Sequence, residues 1–202
     1  MKHFLFALLI TSPVLAKSII PSEFTAEFEE KITSSVTGKE IKSNGTIAYK
    51  FPSQLRLEVL EPEASTVVVG PKKTWIYQPP FIEGEKGQVT IEKKSSWPLL
   101  RTFDSLTKSL EGSKEFDHKF QGNKLTISFK DATRKRMGIK EVSFISRGQA
   151  KDAKTFSEFE SMTLTKNDGK TQSYKFTSIK LVPVEAKKFE FEIPKNTKIV
   201  EN

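Results

Sequence analysis

Between Tyr49 and Pro80 the chain alternates apolar and polar residues in three consecutive runs, and this constrains the fold more than any other feature. Leu55, Leu57 and Val59 alternate with Arg56 and Glu58, Val67 and Val69 follow, and Trp75 and Tyr77 share one side of the third run. A period of two places successive side chains on opposite faces of a strand, here one wetted and one apolar. Pro52, Pro62, Gly70-Pro71 and Pro79-Pro80 punctuate the runs where no ladder N–H is required. Such strands make a sheet with one apolar face, and that face must be covered or curled upon itself.

The pattern continues on both sides. Ile47, Tyr49 and Phe51 share a face, as do Val89 and Ile91, then Leu125, Ile127 and Phe129, then Val142 and Phe144, then Met162 and Leu164. Asn167-Asp168-Gly169 reads as a hairpin turn between Met162–Lys166 and Thr171–Leu181. The apolar register slips between Phe176 and Ile179, the mark of a bulge that bends a sheet. Phe189, Phe191 and Ile193 form the last strand, and Gln149 to Thr155 is a polar loop.

Helical spacing occurs twice. Phe24, Phe28 and Ile32 fall four apart behind a Ser22 cap, which predicts a helix over 22–33. Leu99, Phe103, Leu106 and Leu110, flanked by Trp97 and Leu100, predict a helix over 97–111, whole or broken near Asp104-Ser105. Ser96 caps it, Pro98 sits in its first turn and Gly112 ends it. The tally is about ten antiparallel strands and two or three short helices.

Residues 1–16 have the form of a secretory signal peptide: Lys2 and His3, an apolar Phe4 to Ile10, and Val14-Leu15-Ala16 at the cleavage site. Residues 17–202 then form one domain. The chain has no cysteine, so no lipid can be attached through one at that site. Its formal charge is +8, with basic residues interspersed among glutamates, which argues against a nucleic-acid partner.

Catalytic and metal-binding signatures are missing. Apart from His3, the sole histidine is His118, in a strand between Asp117 and Lys119. No nucleophile elbow, phosphate loop, dinucleotide fingerprint or metal-ligand spacing is found. The expectation is a protein that is not an enzyme and needs no cofactor. What is abundant is apolar surface: 16 Phe against 3 Tyr and 2 Trp.

Phe51-Pro52, Leu55-Arg56-Leu57, Pro62, Gly70-Pro71 and Trp75-Ile76-Tyr77-Gln78-Pro79 together resemble the LolA family of periplasmic outer-membrane lipoprotein carriers. Phe24 to Phe28, Gln88-Val89-Thr90 and Phe189 to Pro194 extend the likeness over nearly the whole mature chain. The resemblance implies a mainly β (α+β) fold, a curved antiparallel sheet forming an open half-barrel with short helices as a lid in its concavity. It also implies a periplasmic chaperone that takes acyl chains of lipoproteins from an inner-membrane ABC transporter to an outer-membrane receptor, and such a shuttle works naturally as a monomer. The residues expected in the acyl-chain cavity and lid are Tyr49, Phe51, Leu55, Leu57, Val59, Val67, Val69, Trp75, Tyr77, Val89, Ile91, Leu99, Leu100, Phe103 and Leu106. Two other readings fit the same strands: a periplasmic lipid or lipoprotein sensor domain, and a small outer-membrane barrel.

Many members of the family carry a basic residue before the first Pro, proposed to hold the lid by hydrogen bonds. Phe51 stands there in this chain, and Lys50 points to the other face. The expectation is therefore a lid closed by apolar contact.

Overall fold

A computed structural model describes residues 18–33, 37–93 and 97–201. The segment read as a signal peptide and the Ser96 cap lie outside them. Twelve strands form one sheet in the order β12-β6-β5-β4-β3-β2-β1-β11-β10-β9-β8-β7. In chain order these are β1 (Glu23–Thr33), β2 (Glu40–Lys50), β3 (Gln54–Glu61), β4 (Ser65–Val69), β5 (Thr74–Gln78) and β6 (Gly87–Glu92). The second half comprises β7 (Phe116–Gln121), β8 (Lys124–Phe129), β9 (Ile139–Ser146), β10 (Phe159–Lys166), β11 (Thr171–Lys180) and β12 (Thr197–Glu201). Helix α1 (Pro98–Leu106) joins the halves, and α2 (Asp131–Met137) links β8 to β9.

The sheet is open, with β7 and β12 at its edges, and it is strongly curled. Laid flat, the eight strand intervals from β4 to β7 would span about 38 Å. Instead Val69 of β4, Met137 of α2 and Glu115 beside β7 line one cleft with α1 between them. The mainly β half-barrel expected from the sequence is thus the observed fold. Among the described residues no helix is long and apolar enough to cross a membrane.

Four elements depart from the sequence reading. Residues 23–33 form the central strand β1, hydrogen-bonded between β2 and β11, rather than a helix. A spacing of four satisfies a period of two as well as one of 3.6. Ala26 between Phe24 and Phe28 is also buried, which only the strand explains. Phe28 packs where β2 supplies Gly45, since a Cβ there would lie 3.1 Å from the Phe28 ring and 1.8 Å from the Glu58 carbonyl oxygen.

Helix α2 lay unread in Asp131–Met137, although it has an acid in its first turn, three bases in its last and Gly138 as a left-handed C-cap (φ 74°). The Phe189–Ile193 strand is absent. Ala186–Phe189 is a 3-10 turn, and the terminal strand is β12, parallel to β6. The loop after β9 is not simply polar. It buries Ala150, Ala153 and Phe156, the last on a 3-10 turn (Phe156–Glu158) held by a Thr155/Glu158 capping box.

The hairpin at Asn167-Asp168-Gly169 and the bend near Phe176 are present. The β1–β11 register shifts between Thr25 and Glu27, and Ser178 takes φ 50° opposite the shift. That extra residue lets Phe176 and Ile179, three apart, both pack against the core.

Candidate functional site: a lidded apolar concavity

Strand register decides which side chains face the concavity. Phe24, Tyr49, Leu55 and Val69 stand in one row across β1–β4, and Ala26, Ile47, Leu57 and Val67 in the next. All eight are buried in one cluster with residues of β8–β11, and half-buried Val59 and Ile76 pack against it.

Helix α1 lies within this concavity. Leu99, Leu100, Phe103 and Leu106 are each 3% exposed or less. The Phe103 ring meets Phe24 at 5.5 Å, Tyr49 at 5.2 Å and Phe176 at 6.4 Å between centroids. Phe156 enters from the other side, 5.1 Å from Phe24 and 5.4 Å from Phe176. The helix runs unbroken through Asp104-Ser105, starts with Pro98 in its first turn and stops at Thr107, whose hydroxyl returns to the Phe103 carbonyl at 2.9 Å. Nine residues form too short a helix to be stable alone, so its apolar contacts hold it.

They are helped by polar contacts: the Ile19 and Ile20 amides donate to the Leu106 carbonyl at 3.2 and 3.3 Å, Arg101 donates to the Arg136 carbonyl, and the Asp104 carboxylate gathers a further set. The Tyr49 hydroxyl donates to Asp104 Oδ1 at 2.9 Å. The Ser53 amide donates to the same oxygen at 3.1 Å, and the Ser53 hydroxyl to Oδ2 at 2.7 Å. Ser53 adopts φ 59°, the left-handed region uncommon outside glycine, and so presents both donors to one carboxylate. Hydrogen bonds therefore do close this lid, contrary to the expectation of apolar contact alone. Tyr49 and Ser53, on either side of Phe51-Pro52, supply them. Burial, with the Asp104 charge adding, pushes the Tyr49 phenol well above its ordinary range, while the hydrogen bond with Thr107 opposes this. Tyr49 thus stays a donor at every ordinary pH.

Five expected cavity residues lie elsewhere. Val68 pairs with Trp75, and Thr66 with Tyr77, so Trp75 and Tyr77 share the convex face with Val68, while Val67 pairs with Ile76 on the concave side. Val89 and Ile91 pair with Tyr77 and Trp75 and are convex too. Phe51 lies in the β2–β3 turn and is 37% exposed.

Val68, Val89 and Ile91 are buried and Trp75 and Tyr77 half-buried on a face that the segment from Val184 to Phe191 crosses. Phe189 and Val184 pack with Ala48, and the Phe191 ring lies 5.6 Å from Tyr77. Arg56 donates to the carbonyls of Lys188 and Glu190, both at 3.4 Å, and Lys50 to that of Val184 at 3.1 Å. The expected residues that the structure does bring together are Tyr49, Leu55, Leu57, Val59, Val67, Val69, Leu99, Leu100, Phe103 and Leu106. Sequence reading missed Asp104, Ser53 and Phe156. A buried tyrosine on an apolar face needs a hydroxyl partner, and that was the available signal for Asp104.

The site is thus an open half-barrel whose apolar concavity is stoppered by a short tethered helix. The profile of the family "Outer membrane lipoprotein carrier protein LolA" matches residues 21–192, and the chain belongs to that family. It is 28% identical over 179 residues to an outer-membrane lipoprotein carrier protein of Dechloromonas aromatica, covering 87% of this chain and 79% of that one. It is 24% identical over 176 residues to the protein of the same description in Proteus mirabilis, covering 86% and 79%. A crystal structure of a LolA superfamily protein from Nitrosomonas europaea aligns with TM-score 0.45 at 9% identity, over 86% of this chain and 92% of that one.

Proposed function

We propose that this chain is a periplasmic chaperone for lipoproteins, holding their acyl chains in the concavity after α1 lifts. The observation that carries the reading is the lid itself: four large apolar side chains fill the concave face, yet the helix that bears them is short and held to the sheet by the Asp104 carboxylate. Burying each such side chain contributes about 1.5–3 kcal/mol, so the lid's contacts amount to roughly 6–12 kcal/mol. An acyl chain of about sixteen carbons gains roughly 12 kcal/mol on burial. One chain and the lid are thus of similar strength, so displacing the lid lowers the net affinity for cargo, which suits a protein that must load and also release.

On this reading residues 1–16 direct export, residues 17–202 act as a monomer, an inner-membrane ABC transporter supplies the cargo and an outer-membrane receptor accepts it. Tyr49, Leu55, Leu57, Val59, Val67 and Val69 would line the emptied cavity.

The test is release of lipoproteins from inner-membrane vesicles by the purified protein, with mass spectrometry of what it captures. Triacylated lipoproteins in soluble complex support the proposal. Release no greater than in buffer alone overturns it.

A further inference from the structure

Beside the lid lies a cleft of about 610 Å³, walled by the β4–β5 turn, by α1 and by the end of α2. Six basic side chains line it: Lys72, Lys73, Lys93, Arg101, Lys108 and Arg136. Among the described lining residues only Asp104 and Glu115 oppose them, which leaves these eight side chains with a net charge of +4.

Both acids are already engaged. Asp104 holds Ser53 and Tyr49. One Glu115 oxygen takes Lys108 at 3.6 Å and Arg136 at 3.2 Å, so two cations offset this single carboxylate. Lys72, Lys73 and Lys93 have no carboxylate within ion-pair distance among the described residues.

A second observation is independent of charge. Thr74, which also lines the cleft, is 0% exposed, and its hydroxyl has no hydrogen-bond partner among the described residues. A buried polar group left unpaired costs about 1–3 kcal/mol, and an incoming acceptor would recover it. Excess cations with a waiting hydroxyl donor suit an oxyanion, and lysines serve as point charges for phosphate.

Val69, Leu100 and Met137 line the same cleft and belong to the apolar core. The anion's site is therefore continuous with the space that acyl chains would occupy. We infer that the cleft takes the phosphate head group of an acylated lipid whose chains enter the concavity as α1 lifts. This rests on the reading of the concavity as an acyl site and adds a class of ligand to it. Lys93 and the β4–β5 turn hold the head from the sheet, while Arg101 and Lys108 hold it from the lid. Head-group binding would thereby favour a different position of α1.

The test uses calorimetric titration of the delipidated full chain with three probes: dioctanoyl phosphatidic acid, dioctanoylglycerol and inorganic phosphate. The expected result is phosphatidic acid binding at least about tenfold more tightly than dioctanoylglycerol, with inorganic phosphate far weaker than either. Lys72→Gln with Lys73→Gln and Lys93→Gln, all exposed positions, should remove the tenfold preference and leave dioctanoylglycerol unchanged. Equal binding of the two lipids, or a preference that survives the triple substitution, overturns the head-group site. Inorganic phosphate binding as tightly as phosphatidic acid makes it a free-anion site and overturns the lipid assignment. Failure of both lipids to bind overturns the acyl-site reading instead.

Discussion

The Tyr49 hydroxyl and the Asp104 carboxylate lie 2.9 Å apart, and through them the second strand of the sheet holds the helix that stoppers its own concavity. The phenol sits in the apolar row with Phe24 and Leu55, so its hydroxyl has few alternatives once the lid is closed. Its ring packs on Phe103 while its tip holds the next residue of α1. Apolar and polar closure thus converge on one turn of helix.

Replacing Asp104 should loosen the lid without disturbing the sheet. Hydrogen bonds to a charged group contribute about 1.5–3 kcal/mol, so Asp104→Ala should lower stability by about 2 kcal/mol. It should also raise affinity for a fluorescent acyl probe, since the probe then displaces a weaker lid. Asp104→Asn, which keeps one acceptor oxygen, should fall between. Probe affinity unchanged or reduced in Asp104→Ala would mean that the tether does not oppose loading.

The two faces of the sheet should separate in function. Leu57→Asn puts an amide into the apolar concavity, and an unpaired polar group there costs about 1–3 kcal/mol, or roughly tenfold in acyl-probe affinity. Trp75→Ala, on the convex face, should leave probe affinity within about twofold while loosening the 184–191 segment. Equal losses in both variants would show that the register-based assignment of faces does not describe the binding site.

That assignment marks the boundary of what the sequence shows. Alternation correctly placed Leu55 and Leu57 on one face because their outward neighbours Arg56 and Glu58 are polar, and Val67 and Val69 share that face through the β3–β4 register although Val68 between them is apolar. Trp75, Tyr77, Val89 and Ile91 also alternate, but in the opposite phase. Their face is buried only because Phe189 and Phe191 return over it from more than a hundred residues away. No local pattern encodes that return. Likewise Phe24 and Phe28 satisfy two periods at once, and the choice between them was made by β2 and β11 on either side. The lid helix was legible from Leu99, Phe103 and Leu106. Its tether was not, because an exposed-looking aspartate becomes a tether only when the β2–β3 turn arrives beside it.

The convex segment should respond to acid through Glu23. Its carboxylate accepts the Val184 amide at 2.7 Å and Lys50 at 3.2 Å. The amide hydrogen bond is the largest influence holding its pKa below the ordinary 4.5; partial desolvation opposes it, and Lys50 assists. A carboxylate whose pKa falls on folding contributes stability above its unfolded pKa and loses it as pH drops through the folded value. Protection of residues 184–191 against hydrogen exchange, taken relative to the intrinsic rate at each pH, should therefore be high at neutral pH and fall as pH drops below 4.5. Glu23→Gln should show the faster exchange already at neutral pH. A pH-independent difference between segment and sheet, with no effect of the substitution, would remove Glu23 from this role.

The most direct test of a movable lid exploits a chain that has no cysteine of its own. Ser53→Cys with Asp104→Cys places two thiols where a hydroxyl and a carboxylate now meet at 2.7 Å. Oxidation should fasten α1 to the β2–β3 turn, with the cross-link verified by intact mass, and acyl-probe and lipoprotein loading should then fall to background. Reduction should restore loading to at least the wild-type level, because the natural tether is gone in the double variant. Equal loading by the cross-linked and reduced proteins would contradict the account, since cargo would then reach its site without the helix moving.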